Sequence, residues 1–322
     1  MMKSRSFKRY FILLYPFLML LTLFLVAIVS HISISEIFIA AVKPFTSPFY
    51  RISFIKEFLI VGLLSLAMNL SLSMGEMNFS LEGIFHMGVF LSALAAIYLG
   101  KAFAAIIFLP LILFLLWQVP KKVSRGDANK LIISSLIFNY LILGLVNYLV
   151  YTFFSDENIS SAVTKKFSFA LNLRLGMLIA VAALVIFIIF AIKFSLINKL
   201  KIIKDAPSIL VSTGTDINKE KRAIDLCLAT LTSVASFLYL FLNYERFSLQ
   251  GFTGYGFDAI TVSLLARGDF KKLAYPAILI TYIRLLSLVM QTEFSFISSV
   301  MYLMQGVLIF ISILEARDDR NS

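Results

Sequence analysis

Apolar runs long enough to cross a bilayer recur along the whole chain, at about 11–30, 55–74, 103–119, 131–154, 173–192, 223–242, 273–290 and 296–314, with a further one ending near 99. A hydrocarbon core about 30 Å thick offers no partner to a peptide group, so each run must close its own backbone hydrogen bonds as a helix. That restricts the fold to an all-α polytopic membrane protein, a single domain over 1–322, with about 8–10 transmembrane helices. Composition agrees: 60% of the 322 residues are hydrophobic and 15% charged, where a soluble domain carries about a quarter.

The net charge of +11 lies in short loops between the runs, with no basic face or RNA-binding motif, which argues against a nucleic-acid partner. Of the 29 Lys and Arg, 20 fall in 1–10, 120–130, 193–222, 267–272 and the final tail. The positive-inside rule then places these segments, and both termini, in the cytoplasm. No small-residue cleavage site follows the first run, so it reads as an uncleaved span. The single Cys227 excludes a disulfide framework, and His31 and His86 are too few for a histidine-rich metal site.

Three segments break the apolar pattern. The basic loop 193–222 holds seven Lys and Arg, and its middle, 205–213, reads as a short helix: Asp205 can cap it, Pro207 suits its first turn and Gly214 stops it. Residues 243–272 contain no full-length run. Gly251, Gly254 and Gly256 precede a half-length apolar piece, Ala259 to Ala266, so 250–268 reads as a broken or re-entrant helix with unwound glycine backbone. The stretch SMGEMNFSLEGIFHMG, 73–88, is too polar and glycine-rich for a lipid-facing helix. Elsewhere, 31–53 reads as an external loop with a surface helix at 34–43, 155–166 as a second external loop, and Pro120 as the end of the fourth run.

Ionisable groups at membrane depth need a reason, since each costs about 2.5–3.5 kcal/mol at a span centre. Asn78 and Glu82, one turn apart, can share a helix face. They either line a solute path or bond the backbone of a broken helix, or else Glu82 only ties the irregular loop 75–83 to a neighbouring span. Asp258 reads first as an N-cap and second as a polar gate beside Tyr255 and Phe257, whose rings suit stacking on a base or sugar. Glu82 and His86 have metal-ligand spacing but no further ligand nearby, and read as a chance pair. Arg284, mid-span, reads as the partner of a carboxylate or as a snorkelling side chain. No phosphate-binding loop, nucleophile elbow or zinc motif is present, so the chain is not evidently an enzyme.

Three stretches, in order, resemble the membrane permeases of bacterial ABC importers for simple sugars and nucleosides, relatives of the branched-chain amino-acid permeases. Met77-Asn78-Phe79-Ser80-Leu81-Glu82-Gly83 is similar to F-N-I-G-x-E-G-Q, with Ser80 for the glycine and Ile84 for the glutamine. Ile203 to Pro207 with Ser212-Thr213-Gly214 keeps the position and closing glycine of the loop pattern R-A-V-G-x-N-P-x-A-A-x-x-A-G-I, without its leading Arg and Gly, its Asn and most of its alanines. Gly254-Tyr255-Gly256-Phe257-Asp258-Ala259-Ile260 matches the nucleoside branch's G-Y-G-F-D-A-I. A weaker echo is Gln305-Gly306.

The resemblance implies that Lys204, Asp205, Ala206, Ile209, Leu210, Thr213 and Gly214 form a cytoplasmic coupling helix that docks on an ABC ATPase subunit. It implies that Asn78, Glu82, Gly254, Tyr255, Gly256, Phe257 and Asp258 shape the substrate pathway. The expected partners are that ATPase, a second permease and an extracytoplasmic substrate-binding protein, in a bacterial plasma membrane. No cofactor is expected in this chain, because ATP and Mg2+ belong to the ATPase. Two other classes fit parts of the sequence: an ion-gradient-driven secondary transporter, which also uses unwound helices and midplane carboxylates, and a lipid-acting membrane enzyme built on Glu82 and His86.

Overall fold

The computed structural model describes residues 34–294 apart from 101, 157–162, 170, 194, 195, 207, 209–211, 213 and 215. The spans expected at 11–30 and 296–314 lie outside the described residues. Among the described residues seven helices are long and apolar enough to cross a membrane, and the protein is an all-α polytopic membrane protein. The helices are α1 (Ile34–Thr46), α2 (Pro48–Ser73), α3 (Leu81–Tyr98), α4 (Ala104–Ser124), α5 (Ala128–Leu149), α6 (Leu173–Lys193), α7 (Leu196–Asp205), α8 (Ile217–Asn243), α9 (Tyr255–Leu265) and α10 (Ala274–Phe294). A π turn, Val150–Phe154, extends α5. The short apolar helix is α9.

Several boundaries differ from the sequence reading for identifiable reasons. The segment 31–53, expected to be mostly loop, is helical from Ile34, with Pro44 inside α1 and Pro48 opening α2. Proline at a first helical position loses only an N–H that has no intrahelical partner. Pro120 does not end α4, which runs through Pro110 and Pro120 to Ser124. It stops where Arg125 (φ 50°) and Gly126 (φ 86°) turn left-handed, and Asp127 then caps α5 by accepting from the Asn129 and Lys130 amides. In the connection after α5, the described residues 163–169 are not a free loop. Thr164 N donates to Phe247 O at 3.0 Å and Phe167 N to Glu245 O at 3.0 Å, so the segment runs beside the exit from α8.

The chain packs as two units. Among the described residues, one comprises 34–58 and 275–294. In it the Lys43 ammonium lies 2.7 Å from Glu293, Tyr50 bonds Thr292 at 2.9 Å, and Arg284 Nε donates to Glu57 at 3.1 Å. Arg284 therefore pairs with a carboxylate, one of the two roles its mid-span position suggested. Replacing Arg284 with Met takes the guanidinium from a largely buried Glu57 and is expected to destabilise the protein by about 3 kcal/mol, read as a lower melting midpoint in detergent. Adding Glu57→Gln in the same chain should restore most of it.

The second unit, Leu59–Ala274, is organised on α3 and α8. Helices α4 and α5 pack on α3, and α4 and α6 on α8. With no hydrophobic force between helices in lipid, close approach depends on small residues. Gly88 supplies one: a Cβ there would lie 2.5 Å from Ser236 Oγ of α8, and that hydroxyl donates to the carbonyls of Thr232 (2.8 Å) and Phe85 (3.2 Å). Helix α6 turns most of its side chains outward, as a lipid-facing helix does.

Candidate functional site

Two irregular peptides meet inside the second unit, and α5 measures how deep. Asn139 stands eleven residues into α5, about 16 Å from its start and near the middle of its length. Its Oδ1 accepts from Gly83 N at 2.8 Å, and its Nδ2 donates to Phe79 O at 2.8 Å. One turn earlier Ser135 Oγ accepts from Phe79 N at 3.0 Å. The peptide 74–80 therefore climbs to mid-depth before α3 begins. Gly83 permits this, because a Cβ there would lie 2.9 Å from Asn139 Cα. Asn139→Leu leaves the Gly83 amide and Phe79 carbonyl without these partners, and a loss of about 2–4 kcal/mol of stability is expected, read as a lower melting midpoint.

The second peptide, 244–254, descends from the end of α8 to the same place. Asn147 Nδ2 of α5 donates to Gln250 O at 3.0 Å, and the Tyr140 and Phe252 rings meet edge to face at 5.1 Å. At its foot stands Glu82, fully buried. Its Oε1 accepts from Gly254 N (2.8 Å) and Thr253 Oγ1 (3.1 Å), and its Oε2 from Gly256 N (2.6 Å). Those amides are the unsatisfied donors at the N-terminus of α9, so a carboxylate of α3 caps α9 from across the fold. Gly254 adopts φ 82°, and a Cβ at Gly256 would lie 2.5 Å from both N and Cα of Glu82.

The structure thus brings Glu82, Gly254 and Gly256 together and adds Thr253, which sequence reasoning did not single out. Asn78 does not share a face with Glu82. It precedes α3, accepts from Ser80 N (3.1 Å) and Ser80 Oγ (2.7 Å), and donates to Trp117 O (3.3 Å). Asp258 is not the N-cap; Gly254 holds that position, and Asp258 lies buried in the first turn of α9. The helix expected from Ala259 begins four residues earlier for the same reason: Glu82 satisfies its first amides. Tyr255 is buried in a ring cluster with Phe85 and Tyr239 at 5.7 and 5.0 Å, while Phe257, partly exposed, meets Phe252 edge to face at 6.0 Å. His86 is fully buried beside Phe247. Among the described residues no group of three or more His, Cys, Asp or Glu could hold a metal ion.

At the end of the bundle where α4 meets α5, four charges form one cluster. Lys121 donates to both oxygens of Asp225 (2.8 and 2.7 Å) and also pairs with Glu76, whose other oxygen lies 2.9 Å from Lys221. Trp117 Nε1 (3.0 Å) and Gln118 Nε2 (2.9 Å) complete the shell of Asp225. Burial alone would raise the Glu76 carboxyl, but Lys121 and Lys221 overcome it and hold Glu76 below the ordinary 4.5. Its contribution to stability is therefore present in full above that value and is lost as pH falls through the lower folded-state value. The sequence did carry a signal for this cluster: an aspartate within the run 223–242, beside a lysine following Pro120.

In the basic loop, Leu196, Leu200 and Ile203 form the buried face of α7, which ends at Asp205. Asp205 thus closes a helix that the sequence reading did not place there. Lys204 is exposed, Ala206 half-buried, Ser208 and Ser212 are helical, and Gly214 (φ 74°) turns left-handed. Ile209, Leu210 and Thr213 lie outside the described residues.

No protein family model matches the chain, and no curated protein does. Among solved structures, the complex of PsaBC from Streptococcus pneumoniae with a Fab is similar in fold: TM-score 0.55 at 16% identity, covering 87% of this chain and 95% of that one.

Proposed function

We propose that this chain is the membrane-spanning permease subunit of an ABC importer, working with a separate ATPase. The observation that carries the reading is the meeting of two irregular peptides at mid-depth on Glu82. Unwound backbone at that level is tolerable only against protein or a water-filled path, and transporters place their solute sites at such breaks. The likeness in fold to PsaBC, over 87% of this chain, agrees with a polytopic helical subunit of this kind. The solute is a nucleoside or simple sugar. This rests on the match at Gly254 to Ile260, and the Tyr140, Phe252 and Phe257 rings beside the break suit a planar ring.

In this reading Lys204, Asp205, Ala206, Ile209, Leu210, Thr213 and Gly214 meet the ATPase in the cytoplasm. Asn78, Glu82 and 254–258 shape the path, with a second permease and an external binding protein completing the assembly. A tagged chain is purified from gently solubilised membranes, with and without Ala206→Glu and Ile209→Glu. An ATPase that accompanies the wild type and leaves the double variant supports the reading. A chain that emerges alone overturns it in favour of a gradient-driven carrier. Uptake of labelled nucleosides, sugars and divalent metal ions by cells with and without the gene then separates the solute classes.

A further inference from the structure

The cluster of Glu76, Lys121, Asp225 and Lys221 does more than neutralise buried charge. Asp225 is 1% exposed at its side chain, and Lys121 and Glu76 15% and 16%. Well-packed apolar residues often hold a protein together as well as such a group does, so stability alone does not account for it. Its connections are more informative. Glu76 belongs to the peptide 74–80 that leads to Glu82, and Asn78 of the same peptide donates to the Trp117 carbonyl, one turn before Lys121. Trp117 and Lys121 of α4 both bind Asp225 of α8. Lys221, at the start of α8, follows Glu220, which pairs with Lys199 of α7 at 2.8 Å. A Cβ on Gly75 would lie 3.5 Å from Lys204 Cγ, so the end of α7 rests against the residue before Glu76.

Contiguous contacts therefore run from α7 and the start of α8, through Glu76 and Lys121, to the peptide that holds Glu82 on the N-terminus of α9. We propose that Lys121, with Glu76 and Asp225, is the positioning element that couples movement of α7 to the Glu82 clamp at mid-depth. The inference rests on the ABC-permease reading, in which the connection containing α7 meets the ATPase. Side-chain ion pairs suit this role because they are directional and can re-form at a new length, whereas close-packed apolar contacts have few alternative arrangements. Lys121 touches no solute in this scheme; it acts through the 74–80 peptide.

The test uses the assembled complex and needs no identified solute. Gly251 is exposed, and nothing lies within 4 Å of where its Cβ would stand. It is replaced by Cys in a Cys227→Ser background, and its reaction rate with a water-soluble maleimide is measured with and without ATP. In the otherwise unaltered complex ATP is expected to change that rate by at least about fivefold. In the neutral triple variant Glu76→Gln, Lys121→Met, Asp225→Asn the rate should no longer respond to ATP while ATP hydrolysis continues, and Lys121→Arg should keep the response. Glu76→Gln, close to isosteric, is made alongside and gives the same readout where the triple variant does not assemble. An undiminished ATP response in these variants overturns the inference and leaves the permease reading intact. Absence of any ATPase from the unaltered complex overturns the permease reading, and the inference with it.

Discussion

On the proposed permease reading, Gly256→Ala is expected to abolish transport, and in any case to lower the melting midpoint. A Cβ at 256 would lie 2.5 Å from N and Cα of Glu82 and 2.8 Å from its Oε2, and the first two are backbone atoms inside the buried first turn of α3. No rotamer change relieves that overlap, so α9 must withdraw from α3. Withdrawal lengthens the Gly256 N bond to Glu82, now 2.6 Å, and the Gly254 N bond, now 2.8 Å. Overpacking a core side chain costs about 1–3 kcal/mol, and a clash with backbone belongs at the top of that range. Gly251→Ala, where nothing lies within 4 Å, is the control and should change neither quantity. Uptake by cells and thermal unfolding of the purified chain check both; a Gly256→Ala protein that transports normally would show that α9 does not need this contact.

Glu82→Ala is expected to act through the same contact from the other side. It leaves the buried amides of Gly254 and Gly256 and the half-buried Thr253 hydroxyl without the carboxylate each donates to. Hydrogen bonds to a charged acceptor contribute about 1.5–3 kcal/mol each, and the three are not additive, so a loss of about 3–5 kcal/mol follows. Glu82→Gln should recover part of it, since one amide oxygen can still accept while the NH2 faces a donor. Hydrogen exchange at the Gly254 and Gly256 amides should rise in Glu82→Ala and less in Glu82→Gln. Exchange unaltered in Glu82→Ala would mean that the first turn of α9 is held by its own backbone.

Most of the helical skeleton was legible in the sequence, because length and hydropathy alone determine a spanning helix. The runs 131–154 and 173–192 lie within a few residues of α5 with its π turn and α6. The breaks at 73–88 and 250–268 were legible too, as polar and glycine-rich departures. What each polar residue does there was not, because it depends on groups far away in sequence. Asp258 looks like a cap only while the donors of α9 have no other acceptor, and Glu82 supplies one from 172 residues earlier. Asn78 and Glu82 share a face only if 78 is already helical, and Ser135, Asn139 and Trp117 hold that peptide extended instead. Pro120 ends a helix in water more readily than in a bundle where the turn at Arg125 and Gly126 is the stronger signal.

The pairing of Lys121 also bears on how the chain enters the membrane. Acidic residues weigh little in orienting a nascent span, whereas each lysine or arginine in a short loop holds that loop back from translocation. As α4 and α5 emerge, Lys121 stands with Lys122, Arg125 and Lys130, while Asp225 lies a hundred residues downstream and not yet synthesised. On the cytoplasmic placement that the loop charges predict, Lys121 at that stage counts as a full retention charge. Once α8 is in place it is neutralised between Glu76 and Asp225, leaving Lys122 and Arg125 exposed at that end. On that placement one side chain would act first as a signal in biogenesis and later as an internal fastening, with the order of synthesis keeping the two roles apart.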